Sequence, residues 1–179
     1  MIDIAGATAG TSPAGTANGA TNAVSNSAAN GAARERARAA PAAAAGALQR
    51  TCLAVLRAEW TTLALVAMDV AAPAQPLAGA LVEVARAYRL RPVRAHDAAG
   101  AGAARVAQLQ DELASARGGD GRLVLTVDDP RRSPGAAALL VHAEAVVVVV
   151  RLGVTDMKAV EELVAIVGRE RVLGCVVAR

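Results

Sequence analysis

The stretch Ala145–Val150 reads AVVVVV, a run of valines with no polar residue among them. β-Branched side chains are stiff and crowd a helix, but they suit an extended chain. A strand with one face in water would alternate apolar and polar positions, so an unbroken apolar run needs cover on both faces. Such a strand belongs in a parallel sheet held between two layers of helix. Any fold open to this chain has to supply those layers.

From Leu48 onward the sequence contains the material for them. Leu48, Cys52, Val55 and Leu56 share one helical face, and Thr61–Ala67 (TTLALVA) reads as a buried strand. Leu77–Tyr88 has the period of a helix with Leu77, Leu81, Val84 and Tyr88 turned inward. Arg91–Ala95 is a short strand opened by Pro92, at a point where a ladder donor can be spared. Ala103–Ala116 is a helix with Val106, Leu109 and Leu113 inward, stopped by Gly118-Gly119, and Arg122–Val127 is a strand. Pro134–His142 is a helix with Ser133 as its cap. After the valine run, Asp156–Val167 forms a helix closed by Gly168, and Arg171–Val177 forms the last strand. Buried strands alternating with amphipathic helices predict an α/β domain over residues 47–179, doubly wound, with a mostly parallel sheet of five or more strands. Residues 1–46 contain no Leu and no aromatic residue, so a disordered Ala/Gly/Ser/Asn-rich tail is expected there. Used functionally, that tail would be a tether or a docking arm carrying Arg34, Arg36 and Arg38.

Composition excludes several classes of ligand. Hydrophobic residues make up 54% of the chain but aromatic ones only 1%, with Trp60 and Tyr88 standing alone. A stacking platform for single-stranded nucleic acid is therefore not expected. Of the 19 Lys+Arg, Lys158 is the single lysine, and the arginines are scattered, so the net charge of +3 reads as a solvated surface and no nucleic-acid partner is expected. Cys52, Cys175, His96 and His142 are too dispersed for a structural metal site. The chain has no apolar stretch of the roughly 18 residues a membrane span needs. Nor does it open on a basic segment followed by an apolar block, so a cytoplasmic location is expected.

In a parallel sheet, ligands bind beyond the carboxyl ends of the strands, and chemistry is sought there. After the first strand come Met68-Asp69-Val70-Ala71-Ala72-Pro73-Ala74-Gln75-Pro76. A phosphate-binding loop at this place would need glycines whose amides wrap the phosphates, a lysine for charge and a Ser/Thr hydroxyl for Mg²⁺. None is present, and Pro73 and Pro76 would take two further donors from the loop. The third strand ends Val127-Asp128-Asp129-Pro130. Asp128 there matches a Walker-B carboxylate, while Asp128 or Asp129 would equally serve to cap a turn before Pro130. His96-Asp97 follows the second strand, but no nucleophile elbow accompanies it, and His96 reads as a satisfied surface residue. Cys52 and Cys175 read as small core residues. His142, ending a helix beside Glu144, would complement the helix dipole.

The run from Arg122 to Val177 resembles the C-terminal half of the P-loop ATPase domain of the bacterial tyrosine kinases of capsule and exopolysaccharide synthesis, a group that belongs with the MinD/ParA-like ATPases. The resemblance rests on Val127-Asp128-Asp129-Pro130 and on Ser133-Pro134-Gly135-Ala136-Ala137-Ala138-Leu139-Leu140. It continues through Val149-Val150-Arg151-Leu152-Gly153-Val154-Thr155 and Arg171-Val172-Leu173-Gly174-Cys175-Val176-Val177. It makes Asp128 the Walker-B acid and Asp97 the counterpart of a second acid of the family. Departures from the pattern fall at the site. Ala71-Ala72-Pro73-Ala74-Gln75-Pro76 stands where Gly-x-Gly-Lys-Ser/Thr is expected, and Ala178-Arg179 stands where the family has an Asn near the base. The tyrosine-rich tail has no counterpart, Tyr88 being alone and, by its helix phase, buried.

The resemblance thus implies a degenerate relative with Walker A lost: a non-catalytic, regulatory or scaffolding protein of polysaccharide synthesis or export, with no cofactor and no metal. Its implied partner is a membrane polysaccharide co-polymerase or a catalytic paralogue, which would hold it peripherally at the inner membrane. Self-association is implied through a basic helix preceding the first strand, where Arg50 and Arg57 lie. The alternative is an active ATPase or tyrosine kinase taking ATP and Mg²⁺ at an unconventional site of Asp69, Asp97 and Asp128. A ParA/MinD-type positioning module would further need ATP-driven dimerisation or a terminal amphipathic helix, and the sequence shows neither.

Overall fold

Successive side chains on a strand point to opposite faces, and in Thr62–Ala67 (β1) both sets are apolar: Leu63 and Leu65 on one face, Ala64 and Val66 on the other. The computed structural model describes residues 46–69 and 74–178 of the chain. Residues 46–57 form a first helix (α1). The elements after β1 are helix Ala74–Ala87 (α2), strand Val93–Asp97 (β2), helix Ala103–Ala116 (α3) and strand Arg122–Val127 (β3). They continue with helix Pro134–His142 (α4), strand Ala145–Arg151 (β4), helix Met157–Val167 (α5), a short 3₁₀ turn Arg169–Arg171 and strand Val172–Ala178 (β5). The sheet has five strands in the order β2-β3-β1-β4-β5, and every neighbouring pair is parallel. The α/β sheet expected from the valine run is the one found. The tail expected over residues 1–46 lies outside the described residues, apart from Gly46, which opens α1.

Helix placement follows from strand order. The β1–β2 connection runs one way along the sheet and the three later connections run the other way. Crossovers are right-handed, so α2 is laid on one face and α3, α4 and α5 on the opposite face. Two buried clusters correspond to the two faces. Val106, Leu109 and Leu113 of α3, Leu139 of α4 and Leu163 of α5 close over Val146, Val148 and Val150. On the other side Leu77 and Leu81 of α2 pack with Val147 and Val149, joined by Cys52, Val55 and Leu56 of α1 and by Trp60. Each valine fully removed from water contributes on the order of 1.5–3 kcal/mol. Arg122 ties α1 to the sheet: its Nη1 and Nη2 donate to the carbonyls of Leu56 (2.6 Å) and Ala58 (3.1 Å), and its guanidinium lies 4.5 Å from the Trp60 ring centre.

Several sequence expectations need correction. α2 begins at Ala74, so Gln75 and Pro76 lie in its first turn, where proline's missing donor is not needed. β2 begins two residues later than expected, since Pro92 has no N–H to give to the ladder although its carbonyl accepts from Arg122 N (2.7 Å), and His96 and Asp97 lie within the strand. Leu48 faces solvent, while the rest of its predicted stripe is buried. Cys175 is exposed on the edge strand β5 and is not a core residue, whereas Cys52 is buried. Tyr88 is 50% exposed and lies just past α2, its hydroxyl accepting from Gln49 Nε2. The helix ends early because Arg89 adopts a left-handed conformation (φ 52°), which lets Leu90 N donate to the Ala85 carbonyl and Arg89 N to that of Arg86.

Arg89 holds a position that glycine occupies at lower conformational cost. Arg89→Gly is expected to raise the melting temperature by about 2–4 °C, read by thermal denaturation. Gly135→Ala should lower it, since a Cβ there would stand 2.9 Å from Val106 Cγ2 and 3.1 Å from the Ala101 carbonyl.

Candidate functional site

The connection leaving β1 goes to one face of the sheet, whereas those leaving β3 and β4 go to the other, and a crevice opens beyond the carboxyl ends of strands that diverge in this way. Aspartates stand at the ends of β1, β2 and β3, while β4 ends in Arg151. Val70–Pro73, in the loop after β1, lie outside the described residues, and with them most of the stretch in which the phosphate loop was sought.

Asp129 is the buried acid of the group, only 4% exposed. Its Oδ1 accepts from the backbone N–H of Arg131 at 3.0 Å, a turn favoured by Asp before proline. The Arg131 guanidinium folds back onto the same carboxylate, with Nε 3.0 Å from Oδ1 and Nη2 2.6 Å from Oδ2. Nη1 reaches across to Glu162 of α5 at 3.2 Å. Burial by itself pushes the Asp129 carboxyl up, but the hydrogen bonds and charge of Arg131, with the charge of Arg132 added, outweigh it and hold the carboxyl below its ordinary value. The same pair holds the Arg131 guanidinium still more firmly protonated.

Asp128, the Walker-B candidate, is half-buried and points the other way, its Oδ2 accepting from Gly100 N at 2.7 Å. Asp97 accepts at one oxygen from Thr126 Oγ1 (2.7 Å) and Ala99 N (3.0 Å). These two acids converge on the residues 98–101 turn that leads into α3, and together they pin it. Gly100 adopts φ +64° there, a conformation that suits glycine. Asp69 stands apart from them, accepting from Thr155 Oγ1 at 3.1 Å and lying 3.7 Å from Arg151 Nη1. Among the described residues, no group of three His, Cys, Asp or Glu side chains could hold a metal ion, so Asp69, Asp97 and Asp128 do not gather into one.

Sequence reasoning makes Asp128 the Walker-B candidate and lets either Asp128 or Asp129 cap a turn. The structure gives the turn to Asp129, which is buried, and leaves Asp128 half-buried. The signal that could have been used is Arg131, two residues after Asp129 and set by Pro130 to fold back. His96 is satisfied as expected, by Glu112 Oε2 at 3.2 Å. His142 ends α4, but Glu144 turns to Thr61 N (2.7 Å) and Arg117 (3.7 Å). Ser133 caps α4 as expected, accepting from Ala136 N.

Known proteins share this architecture. The kinase domain of the Escherichia coli tyrosine kinase Etk superposes with a TM-score of 0.55 at 9% identity, over 70% of this chain and 69% of that one. The chimerical protein CapA2B2 superposes with a TM-score of 0.52 at 9% identity, over 70% of this chain and 79% of that one. The likeness is one of fold. No protein-family model and no curated protein matches the sequence. Fold alone does not carry an activity, so chemistry has to be argued from the aspartates themselves. These acids each have a partner within the chain. Asp129 is saturated by an arginine, and Asp97 and Asp128 are committed to backbone amides and a threonine. The Asp69 carboxylate faces Arg151.

Removing Arg131 leaves a buried carboxylate without its cation. Arg131→Ala is expected to lower the urea midpoint at pH 7, measured by urea denaturation. Asp129 is held below its ordinary pKa of 3.8 in the folded protein, so its contribution is complete above that value and fades as pH falls through the folded one. The difference in stability between wild type and Asp129→Asn should therefore be constant above about pH 5 and shrink below about pH 4.

Proposed function

We propose that this protein is a non-catalytic, regulatory or scaffolding member of a capsule or exopolysaccharide synthesis or export system, built on the fold of the tyrosine kinase domains but without their nucleotide chemistry. Likeness of fold to the Etk kinase domain and to CapA2B2 supports the first half of this reading. One observation carries the second half. The aspartates at the carboxyl edge are engaged by partners of this chain, and the most buried, Asp129, is neutralised by Arg131 at 2.6 Å. A magnesium ion would have to displace that guanidinium and leave Arg131 facing it, an arrangement electrostatics disfavours. The sequence adds that residues 71–76 contain neither Gly, Lys, Ser nor Thr, and that the single lysine, Lys158, lies on α5.

In this reading the protein acts by contact. Its partner is a membrane polysaccharide co-polymerase or a catalytic paralogue, and through it the chain sits peripherally at the membrane. Among the described residues no helix is long and apolar enough to cross a membrane.

Calorimetric titration of the full chain with Mg-ATP to several millimolar, in parallel with a thermal-shift series, is expected to show no heat of binding and no stabilisation. A ligand held a hundredfold above its Kd would stabilise by about 2.7 kcal/mol, a shift easily seen. Saturable binding lost in Asp69→Ala, Asp97→Ala or Asp128→Ala would replace this reading with the unconventional ATPase. Affinity purification from native membranes should recover polysaccharide-assembly proteins, and recovery of this chain alone would count against the assignment of pathway.

A further inference from the structure

β2 is an edge strand, and its outer rim is set by the ladder on its inner side. The Pro92 carbonyl accepts from Arg122 N at 2.7 Å, and Ala98 N donates to the Thr126 carbonyl at 2.9 Å. In a parallel ladder alternate residues of one strand bond the same neighbour. The even-numbered residues between these two points therefore bond inward to β3, and Val93, Ala95 and Asp97 turn their N–H and C=O groups outward. Beside this rim runs a groove between β2 and α2, formed by cavities of about 510 and 300 Å³ that share Val82 and Val93 in their walls. Gly79 of α2 lines it, and a Cβ there would meet nothing within 4 Å, so another backbone can come close.

The charges around the groove define what would fit. Arg86 and Arg89 stand in its wall together with Glu83, Arg94 projects from the other face of β2, and none of the three arginines has an ion pair among the described residues. Arg94 is in register with Leu123, which belongs to the three-helix face, while Val93 packs on the α2 face. A strand laid along β2 would therefore present alternate residues to two surroundings: small apolar ones toward Gly79 and Val82, acidic ones toward Arg94. Two other occupants are disfavoured by charge. A second copy of β2 offers no acid on the face of Arg94, where it carries only Arg94 and His96. Residues 1–45 hold only Asp3 and Glu35 against Arg34, Arg36 and Arg38.

We propose that the free edge of β2 and the adjoining α2 groove take up an extended segment of alternating apolar and acidic residues from a partner protein, by strand addition. Main-chain hydrogen bonds to Val93, Ala95 and Asp97 supply affinity, and Arg94 supplies selectivity for the acidic positions. This surface is separate from the carboxyl-edge aspartates, and the proposal holds whether or not nucleotide binds there.

The test is fluorescence anisotropy of the full chain with a labelled, capped peptide of four Val-Glu repeats. Saturable binding below about 1 mM is expected, with Arg94→Glu weakening it about tenfold and a Val-Lys peptide failing to bind. Ala95→Pro removes an outward N–H without touching the ladder and should abolish binding. Circular dichroism checks that the variant folds, and if it does not, a peptide N-methylated at alternate residues, which should also fail to bind, decides the point. Equal binding of the Val-Lys peptide, undiminished binding of the N-methylated peptide, or no binding of the Val-Glu peptide at about 1 mM would each overturn the proposal.

Discussion

Burial of β1 and β4 on both faces is the constraint on which the rest of this molecule depends. Leu63 and Leu65 need one layer of cover and Ala64 and Val66 another, and the valines of β4 repeat the demand. Right-handed crossovers supply three helices to one face and, because only one connection runs the opposite way, a single helix to the other. One helix is about 10 Å across and cannot cover a sheet of this width. α1 exists to complete that layer: Cys52, Val55 and Leu56 extend the α2 side, and Arg122 fastens the end of α1 to the start of β3. Arg122 thus answers two needs at once, satisfying carbonyls that α1 leaves open and supplying a flat cation to the chain's only Trp.

The same reversal of direction that leaves α2 with only α1 beside it on its face also creates the crevice beyond the strands. A fold of this type offers a place for ligands by topology alone, before any side chain is chosen. What occupies it here is a set of internal bonds. Asp97 and Asp128 hold the residues 98–101 turn, and Asp129 holds Arg131, which in turn reaches Glu162 on α5. The acids thereby become struts between β2, β3, α3 and α5. A buried ion pair of this kind adds little net stability over an apolar pair, but breaking it is costly, so it fixes the loop geometry more than it strengthens the fold.

Much of the architecture was legible because it rests on local pattern. The unbroken valines called for cover on both faces, the stripes of α3 and α5 showed their inward faces, and Ser133 and Gly168 marked helix ends that the backbone confirms. The failures share a cause, for each depends on a contact distant in sequence or on a conformation that the residue type does not advertise. Tyr88 reads as buried because nothing marks Arg89 as the left-handed residue that ends α2. Cys175 reads as core because its strand is apolar, while its place at the sheet edge depends on strand order. Asp128 and Asp129 are neighbours of the same type, and only the fold-back of Arg131 tells them apart.

The two edges of the sheet show how strand order turns sequence into surface. β5 carries no charge from Val172 to Ala178, and such an edge is open to unwanted pairing. Its protection is geometric: the register with β4 slips between Val146 and Val147, so Leu173 becomes the extra residue of a bulge and the strand entry is twisted away. β2 at the other edge has no bulge and is protected by chemistry, with Pro92 at its mouth and Arg94, His96 and Asp97 along it. Protection by charge is selective where protection by a bulge is not. A copy of β2 brings no acid to the face of Arg94 and a neutral strand gains only main-chain bonds, whereas a strand with acids on that face gains both. The β2 rim therefore keeps a regular, unpaired ladder that the fold can present without inviting self-assembly.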